Sequence, residues 1–404
     1  MTLTMQVPPP LRGTDPDSFA QQTVRERWPK IVAQTIAENT FPEAVVARLW
    51  ALHRELPDGP IRLLEDPGAP DLPLWAMWTA PFLNETWASA PWLFAEHYLY
   101  RRILEATGYF QAGPTYQLDP FRKQKTTALT ESDEAVCALA QQANTHAVYP
   151  EAARMQLSQL LRTALWGNQM DLSMWSVAEA PSHLGTDRET AHLLADDTDA
   201  VVAYLESVAP IRIDLLADNA GFELLCDLVL LDGLLTAGYA REVVLHLKAH
   251  PTFVSDALIA DVLEVLDILE ANPHPAPPQL AQRLRAYLAS GQLRLSDSFA
   301  WNCPLPMRQF PPLAMADLAR SGLVIAKGDA NYRRLVDDAH WPFTIPFGKV
   351  VAYFPAPLLA LRTLKAEVVV GLSAARIQAV QAQDPEWMIN GHWGVIQFYR
   401  PPGC

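Results

Sequence analysis

The segment IRIDLLADNAGFELLCDLVLLDGLL, residues 211–235, decides how the chain folds. Its first part, IRIDLLAD, is a short and largely apolar run of the kind found in buried strands of parallel sheets. An acid and an amide, Asp218 and Asn219, follow at the end of this predicted strand, and an apolar helix-like stretch begins after them. A strand, a polar turn and a helix in this order predict one unit of an α/β domain.

The remainder of the C-terminal half repeats this alternation. The runs EVVLHLKA, GLVIAKGD and AEVVVGL read as strands, and stretches such as DALIADVLEVLDILEAN read as helices. Polar residues follow three of the predicted strands, at Asp218-Asn219, within 248–256 and within 327–329. Ligands of open α/β sheets bind outside the carboxyl ends of the strands. Three polar ends in one sheet therefore favour a site over simple helix caps.

The N-terminal half has a different periodicity. From residue 17 to residue 167, apolar residues recur at intervals of three and four, as in SFAQQTVRERWPKIVAQTIAENT and WLFAEHYLYRRILEATG. We expect a mobile, proline-rich tail over residues 1–16 and a helical region over 17–167. Residues 168–404 would form the α/β domain. The predicted fold is a helical N-terminal part packed on a three-layer, Rossmann-like α/β/α domain with a mostly parallel sheet.

Composition restricts the class of partner. The formal net charge of −14 argues against nucleic acid or an anionic membrane as a partner, because the overall field would repel both. The four cysteines contain no CxxC pair, and the N-terminus lacks the pattern of a signal peptide. We therefore expect a cytoplasmic protein with a small-molecule ligand. The oligomeric state is not indicated by the sequence.

Several common chemistries lack their motifs here. The sequence contains no GxxxxGK[ST], no GxGxxG after a strand, no GxSxG and no HExxH. His246 and His250 have the spacing of helical metal ligands, but the segment around them reads as a strand. Carboxylate and amide oxygens remain as candidate ligands for a hard divalent ion such as Mg²⁺ or Mn²⁺. Asp218, Asn219 and Asp256 could supply them from two neighbouring strand ends.

A set of motifs gives the chain a family resemblance. In chain order, they are WASAPWLFAEHYLYRRI, LWGNQMDLS, DNAGFELLCDLVLLDGLL, PTFVSDALIADV, KGDANYRRL, RTLKAEVVVGL and GHWGVIQF. Together they resemble the metal-dependent damage-control phosphatase family, first catalogued as a domain of unknown function. The match is to its third subgroup, which has an Arg-Thr-x-Lys motif, here 362–365. TVRERWPKI, with Arg27 and Pro29, extends the resemblance toward the N-terminus.

The resemblance implies roles for particular residues. It implies one divalent metal (Mn, Co, Ni or Mg) held by Asp218, Asn219 and Asp256. Asp218 and Lys365 would be catalytic, and whether Asp218 is a ligand, the nucleophile or both is open at this stage. The residues implied to bind a sugar phosphate are Asp329, Ala330, Asn331, Tyr332, Arg333, Arg362 and Lys365.

For each of several other polar residues in these motifs, the sequence allows two interpretations of its role. Glu223 lies on the helix after Asp218 and either supports the metal site or faces it unbound. Asn168 and Asp171 either line the pocket or cap a turn. Glu96, Tyr100 and Arg101 either roof the site or form a buried structural network, with the network preferred. His97 is expected on the outer face of its helix.

Three functions are consistent with the sequence. The first is a metal-dependent phosphatase acting on small sugar phosphates, such as fructose 1-phosphate, fructose 6-phosphate or related damaged phosphometabolites. The second is an adenosyl-methionine-dependent protein-glutamate carboxyl methyltransferase, an activity also attributed to this subgroup; the missing glycine-rich loop disfavours it. The third is a non-enzymatic phosphosugar-binding protein, which has no need for an ordered set of oxygen ligands.

Overall fold

A computed structural model describes residues 5–130, 133–148, 153–170 and 191–403. The helices are α1 Phe19–Gln22, α2 Trp28–Glu38, α3 Glu43–Glu55, α4 Leu72–Thr79, α5 Trp92–Thr107, α6 Arg122–Thr130, α7 Asp133–Val148, α8 Ala153–Met170, α9 Thr198–Val208, α10 Gly221–Thr236, α11 Ile259–Ala271, α12 Ala276–Ser290, α13 Pro312–Leu318, α14 Gly328–Leu335, α15 Phe347–Val350 and α16 Ala374–Gln383. A π-helical turn, Thr23–Arg27, joins α1 to α2. Within these ranges, no helix has the length and apolar character needed to cross a bilayer.

The strands are β1 Leu193–Asp196, β2 Ile211–Leu216, β3 Ala240–Lys248, β4 Leu293–Ser298, β5 Leu323–Lys327, β6 Leu358–Thr363 and β7 Gly394–Tyr399. They form a seven-stranded sheet in the order β1-β7-β6-β5-β2-β3-β4. Every neighbouring pair is parallel except β6 and β7. The carboxyl ends of β2, β3, β5 and β6 therefore meet at one edge. The predicted mixed α/β fold with a mostly parallel sheet is confirmed.

The two faces of the sheet bury two separate cores. Because side chains alternate along a strand, Ile213 and Leu215 face one core, and Leu216 faces the other. The core on the Leu216 face is completed by α2 to α5, whose periodic apolar residues pack onto the sheet. The opposite core is formed with α7, α8 and α10 to α12. The sheet is thus covered by helices on both faces, as its largely apolar and buried central strands require.

One predicted strand is wrong. Residues 366–372, AEVVVGL, form no strand; the strand of this region is β6, directly before them. Val368 and Val370 are buried all the same. Their main-chain groups are satisfied by side chains instead of a ladder: Arg362 donates to the carbonyl of Val368, and the Tyr332 hydroxyl accepts from the N–H of Val370. A buried apolar run does not need to be a strand when side chains meet its backbone requirements.

The N-terminal tail is anchored along part of its length, contrary to the prediction that residues 1–16 are mobile. Leu11 is buried, and its main chain exchanges hydrogen bonds with Asp338 (2.9 Å) and Trp92 (2.8 Å). Burial of this apolar side chain offsets the entropy lost on ordering the segment. The boundary at 167/168 stays a prediction, and α8 crosses it while sharing a core with α10.

Candidate active site

Pairing between two loops brings the predicted metal ligands together at the carboxyl ends of β2 and β3. The N–H of Ala257 donates to the Asp218 carbonyl (2.9 Å), and the N–H of Ala220 donates to the Ser255 carbonyl (2.6 Å). Asn219 and Asp256 face each other in the resulting antiparallel bridge. Short-range strand pairing of this kind fixes the separation of the two loops. Asp218, Asn219 and Asp256 therefore lie in one place, as the sequence predicts.

Hydrogen bonds fix the orientation of the Asn219 side chain. Its Nδ2 donates to Asp218 Oδ2 (2.9 Å) and to Glu223 Oε2 (2.7 Å). Its Oδ1 accepts a hydrogen bond from Ser255 Oγ at 2.5 Å. With both donors used, Asn219 can offer a cation only its Oδ1 atom.

Glu223 is in turn held by a buried lysine at the end of β5. Lys327 Nζ lies 3.0 Å from Glu223 Oε1 and 2.8 Å from Asp227 Oδ1. Burial raises the pKa of Asp227 to about 7, although the charge of Lys327 opposes this effect. Glu223 thus supports Asn219 rather than facing the site alone. The sequence did not indicate this role for Lys327 and Asp227, although Lys327 is the first residue of the KGDANYRRL motif.

A glycine that the sequence analysis did not single out packs against Asp218. Gly328 opens α14 with a φ of +82°, and a Cβ on it would lie 1.9 Å from Asp218 Oδ2. Any other residue would collide with the carboxylate and adopt a strained backbone. The sequence feature that could have indicated this contact is the position of Gly328 at the end of a predicted strand, within the KGDANYRRL motif. Gly328 allows the first turn of α14 to approach Asp218.

Three acids crowd this strand end. Burial, reinforced by the negative charges of Glu223 and Asp256, raises the pKa of Asp218 well above its usual range. Burial also raises the pKa of Asp256 to about 6, against the opposing charge of Lys248. Asp256 Oδ2 forms an ion pair with Lys248 Nζ at 3.3 Å, but the two atoms are not aligned for a hydrogen bond. Buried carboxylate oxygens in this number are suited to a divalent cation, because it would favour their ionised forms.

Lys248 belongs to the same charged group. Burial and the nearby charge of Arg334 lower the pKa of Lys248 to about 8. Its ammonium donates to the carbonyl of Trp301 at 2.8 Å. Lys248 thereby balances part of the negative charge while staying outside the group of candidate ligands.

Asp329 connects the predicted substrate segment to the Arg-Thr-x-Lys motif. Although burial opposes ionisation, the charges of Arg362 and Arg333 hold the pKa of Asp329 below its usual value. Asp329 Oδ1 accepts from Arg362 Nε (2.8 Å) and from the N–H of Lys365 (3.2 Å). Arg362 is fully buried and stacks over Tyr332, with 4.4 Å from its Cζ to the ring centre. Asp329 and Arg362 therefore set the position of Lys365.

The side chains of four other predicted substrate residues face protein groups. The amide of Asn331 donates to the carbonyls of Ala217 (3.1 Å) and Lys327 (2.9 Å). The hydroxyl of Tyr332 donates to Gln397 Oε1 at 2.8 Å. Arg333 pairs with Asp338 and Glu96, and Ala330 is buried without a polar side chain. These side chains support the shape of the site, so any contact of Ala330 with a ligand would be through its main chain.

Lys365 differs from the other basic residues of the site. Its ammonium forms no ion pair or hydrogen bond with any residue in the described ranges. The main chain of Lys365 is held by Asp329, whose neighbour Gly328 packs against Asp218, and the charge of Lys365 opposes the rise in the pKa of Asp218 that burial causes. The stem of Lys365 lies against Gly391 of the GHWG motif, and Leu364 is held by hydrogen bonds to Gly391 and Trp393. A half-buried ammonium that has no bond to the described residues is available to an anionic ligand.

A second group of side chains has the geometry of a metal site. Oxygen and nitrogen atoms of Asp214, His246 and Asp317 lie within 4.8 Å of one another. However, the Arg212 guanidinium already occupies this group, with bonds of 2.7 Å to Asp214 and 3.0 Å to Asp317. Asp317 precedes β5, which places the group away from the carboxyl ends of the strands. We interpret it as a buried ion-pair network. His250 is separate and pairs with Asp71.

Among the polar residues of α5, Arg101 belongs to a buried ion-pair network. Arg101 is fully buried between Asp66 and Asp71, at 2.8 Å from each. The prediction that His97 faces outward is wrong: it is 1% exposed and lies 2.6 Å from Arg334. The reason is that α5 is enclosed on all sides, so none of its faces is free for solvent. The side chain of Asn168 and all of Asp171 lie outside the described residues.

Comparison with known proteins gives consistent matches along the chain. Residues 23–380 match the damage-control phosphatase ARMT1-like domain. Damage-control phosphatase ARMT1 of Mus musculus is 32% identical over 435 residues, covering 97% of this chain and 98% of the mouse protein. The Xenopus tropicalis protein is 33% identical, covering 94% of this chain and 96% of its own. The human protein is 30% identical, with coverages of 98% and 99%.

The fold has a counterpart among solved structures. A crystal structure of a DUF89 family protein from Pyrococcus horikoshii matches with a TM-score of 0.50 at 14% identity. The match covers 93% of this chain and 98% of the archaeal one. The arrangement of helices around a mostly parallel sheet is thus shared. The chain belongs to the damage-control phosphatase ARMT1-like family, and it is an enzyme of the metal-dependent phosphatase class.

Proposed function

We propose that the protein hydrolyses small sugar phosphates, with fructose 1-phosphate and fructose 6-phosphate as first candidates. A divalent cation (Mn²⁺, Co²⁺, Ni²⁺ or Mg²⁺) would be held by Asp218, Asn219 and Asp256. The observation that carries the proposal is the ammonium of Lys365, which has no ion pair or hydrogen bond with the described residues and whose charge acts on Asp218. A phosphate ester combines a dianionic group with metal-binding oxygens, so it complements both features.

Each part of the site has a task in this proposal. The bound cation would supply neutralisation of charge on the phosphoryl oxygens. Lys365 neutralises another phosphoryl oxygen, and Asp329 holds Lys365 in place through its N–H. The first turn of α14 begins at Gly328, against Asp218, and the N–H groups of a first helical turn would favour a phosphate there. Asp218, which contacts both Asn219 and Gly328, would act as ligand or as nucleophile.

Two alternative functions fit the site less well. A methyltransferase would need a cofactor pocket, but the turn after β2 has one glycine, Gly221, and is occupied by Asp218 and Asn219. A phosphosugar-binding protein without catalysis would not require crowded buried acids, which cost folding free energy when ionised. Binding of adenosyl-methionine at micromolar concentration in a calorimetric titration would favour the methyltransferase.

The test measures metal binding and phosphate release together. Chelator-treated protein should release no phosphate from either fructose phosphate and should recover activity with Mn²⁺, Co²⁺, Ni²⁺ or Mg²⁺. Asp256→Asn should lower both metal affinity and kcat/KM by more than about a hundredfold. Replacing a residue that merely supports a metal ligand costs about ten- to a hundredfold, and replacing the ligand itself should cost more. Asp317→Asn is the control, because it alters the other acidic group. Loss of metal binding in Asp317→Asn alone, or full activity without metal, would contradict the proposal.

A further inference from the structure

The turn after β4, residues 299–303, joins two buried cations next to the candidate active site. Hydrogen bonds from the N–H groups of Trp301, Asn302 and Cys303 to carbonyls three residues earlier close this turn. The Trp301 carbonyl accepts from Lys248 Nζ at 2.8 Å and from Arg334 Nη2 at 2.9 Å. Both side chains are buried. Two charged donors therefore meet on one main-chain oxygen in the interior of the protein.

The first of these cations continues to a predicted metal ligand. Lys248 Nζ lies 3.3 Å from Asp256 Oδ2, which accepts no hydrogen bond from the described residues. The N–H of Lys248 also donates to the carbonyl of Ala257, the next residue after Asp256, at 3.0 Å. Lysine has a flexible four-carbon stem, so its ammonium keeps one position only where a partner holds it. The Trp301 carbonyl is that partner.

The second cation continues to the opposite side of the site. Arg334 Nη1 donates to Asn331 Oδ1 at 3.4 Å. The Asn331 amide in turn donates to the carbonyls of Ala217 at 3.1 Å and Lys327 at 2.9 Å. Each of these carbonyls belongs to the residue directly before Asp218 or before its packing partner, the first glycine of α14. Arg334 therefore supports the amide that ties together the ends of β2 and β5.

The charge of Lys248 is not explained by the carbonyl that it binds. One neutral donor would satisfy the Trp301 carbonyl, and taking an ammonium and a guanidinium out of water is unfavourable. The ammonium also faces Asp256, whose Oδ2 has no hydrogen-bond donor in the described ranges. The charge of Lys248 is therefore matched to a carboxylate that the proposed function assigns to the metal.

We propose that Lys248 is a positioning residue for the metal ligand Asp256, and that Arg334 ties it to the Asp218 side of the site through the shared Trp301 carbonyl. The inference rests on the proposed function, which places the divalent cation on Asp256. Groups that contact a metal ligand from behind orient it, and replacing them typically costs about ten- to a hundredfold in metal affinity. Lys248 would thus set how tightly the cation is held without contacting it.

The decisive measurement is the metal affinity of Lys248→Gln, which removes the charge and offers a neutral donor to the Trp301 carbonyl. Calorimetric titration with Mn²⁺ should give a dissociation constant at least about tenfold above the wild-type value. Lys248→Met, which also removes the donor, should show at least the same loss and a lower melting temperature. If Lys248→Met does not fold, Lys248→Gln decides the question.

Lys125→Met is the matched control. Lys125 is also a buried lysine, but its ion pairs are with Asp119 at 2.9 Å and Asp261 at 3.1 Å, neither of which is assigned to the metal. The variant should lower the melting temperature and leave the Mn²⁺ affinity near the wild-type value. Equal losses of affinity in Lys125→Met and Lys248→Gln would show a general effect of destabilisation and would overturn the inference.

Arg334→Lys tests the link through the shared carbonyl. Lysine keeps the charge and a donor for Trp301, but it lacks the planar fork that also reaches Asn331. The variant should lower the Mn²⁺ affinity, and its loss should not add to that of Lys248→Gln, because residues that share a partner are coupled. Additive losses in the double variant would overturn the role assigned to Arg334.

The outcomes separate this inference from the proposed function. If wild-type protein binds Mn²⁺ and Lys248→Gln binds it equally well, the inference is overturned and the metal assignment stands. Tighter binding by Lys248→Gln would also overturn it, since Lys248 would then repel the cation rather than align its ligand. If wild-type protein binds no divalent cation, the metal assignment fails and the inference fails with it.

Discussion

Replacing Gly328 by alanine tests whether Asp218 is held at a catalytic position. The new Cβ would lie 1.9 Å from Asp218 Oδ2 and 2.0 Å from its Cγ. To restore ordinary van der Waals contact, the carboxylate or the first turn of α14 must move by about 1.5 Å. A displacement of about 1 Å in an active site can lower the rate about a hundredfold. We expect Gly328→Ala to lower kcat/KM for sugar phosphate hydrolysis by about that factor or more.

The backbone strain of the substitution needs its own control. Gly328 has a φ of +82°, where alanine costs about 1–2 kcal/mol. Gly291 has a φ of +78° and open space around its Cα, so Gly291→Ala carries the same strain without a collision. Both variants should therefore lose some thermal stability in a melting experiment, and Gly328→Ala should lose more because it also carries the collision. Steady-state kinetics should show a loss of activity in Gly328→Ala alone.

Two outcomes would refute this reasoning. Near-normal kcat/KM in Gly328→Ala would mean that the position of Asp218 does not matter for hydrolysis. Equal losses of activity in Gly328→Ala and Gly291→Ala would mean that strain or reduced stability, rather than the collision with Asp218, causes the effect.

Two further predictions concern Lys365 and His97. Lys365→Ala should lower kcat/KM ten- to a hundredfold, since a charge-assisted contact contributes about 1.5–3 kcal/mol. Calorimetry should find the metal affinity of this variant unchanged, and Lys365→Arg should recover part of the activity. Normal turnover in Lys365→Ala would mean that the Arg-Thr-x-Lys motif is structural. Burial and the charge of Arg334 lower the pKa of His97, so the folded protein keeps it neutral while the unfolded chain takes up a proton below about pH 6.5. The unfolding free energy from urea titrations should therefore fall as pH drops below that value, by up to about 1.4 kcal/mol per pH unit. The unfolding free energy of His97→Gln should fall less steeply. Equal slopes for the two proteins would contradict the lowered pKa of His97.

The sequence by itself determined the alternation of strands and helices and the position of the candidate site. Asp218 and Asn219 directly follow β2, and the carboxyl ends of parallel strands necessarily share one edge. Local periodicity is sufficient for these conclusions, because strand and helix patterns are read within one window of residues. The ordered motifs added the family, since their order along the chain is a property of the sequence alone.

Only the tertiary structure decided which polar and apolar residues meet. Gly328 is more than a hundred residues from Asp218 in the chain, and Lys327 is as far from Glu223, so no periodicity links them. Residues 366–372 have the composition of a strand but receive hydrogen bonds from side chains, a distinction that depends on distant partners. His97 reads as an outward-facing residue in the sequence, and only the enclosure of α5 places it in the interior beside Arg334. Burial and the choice of hydrogen-bond partners are properties of packing, which local sequence does not encode.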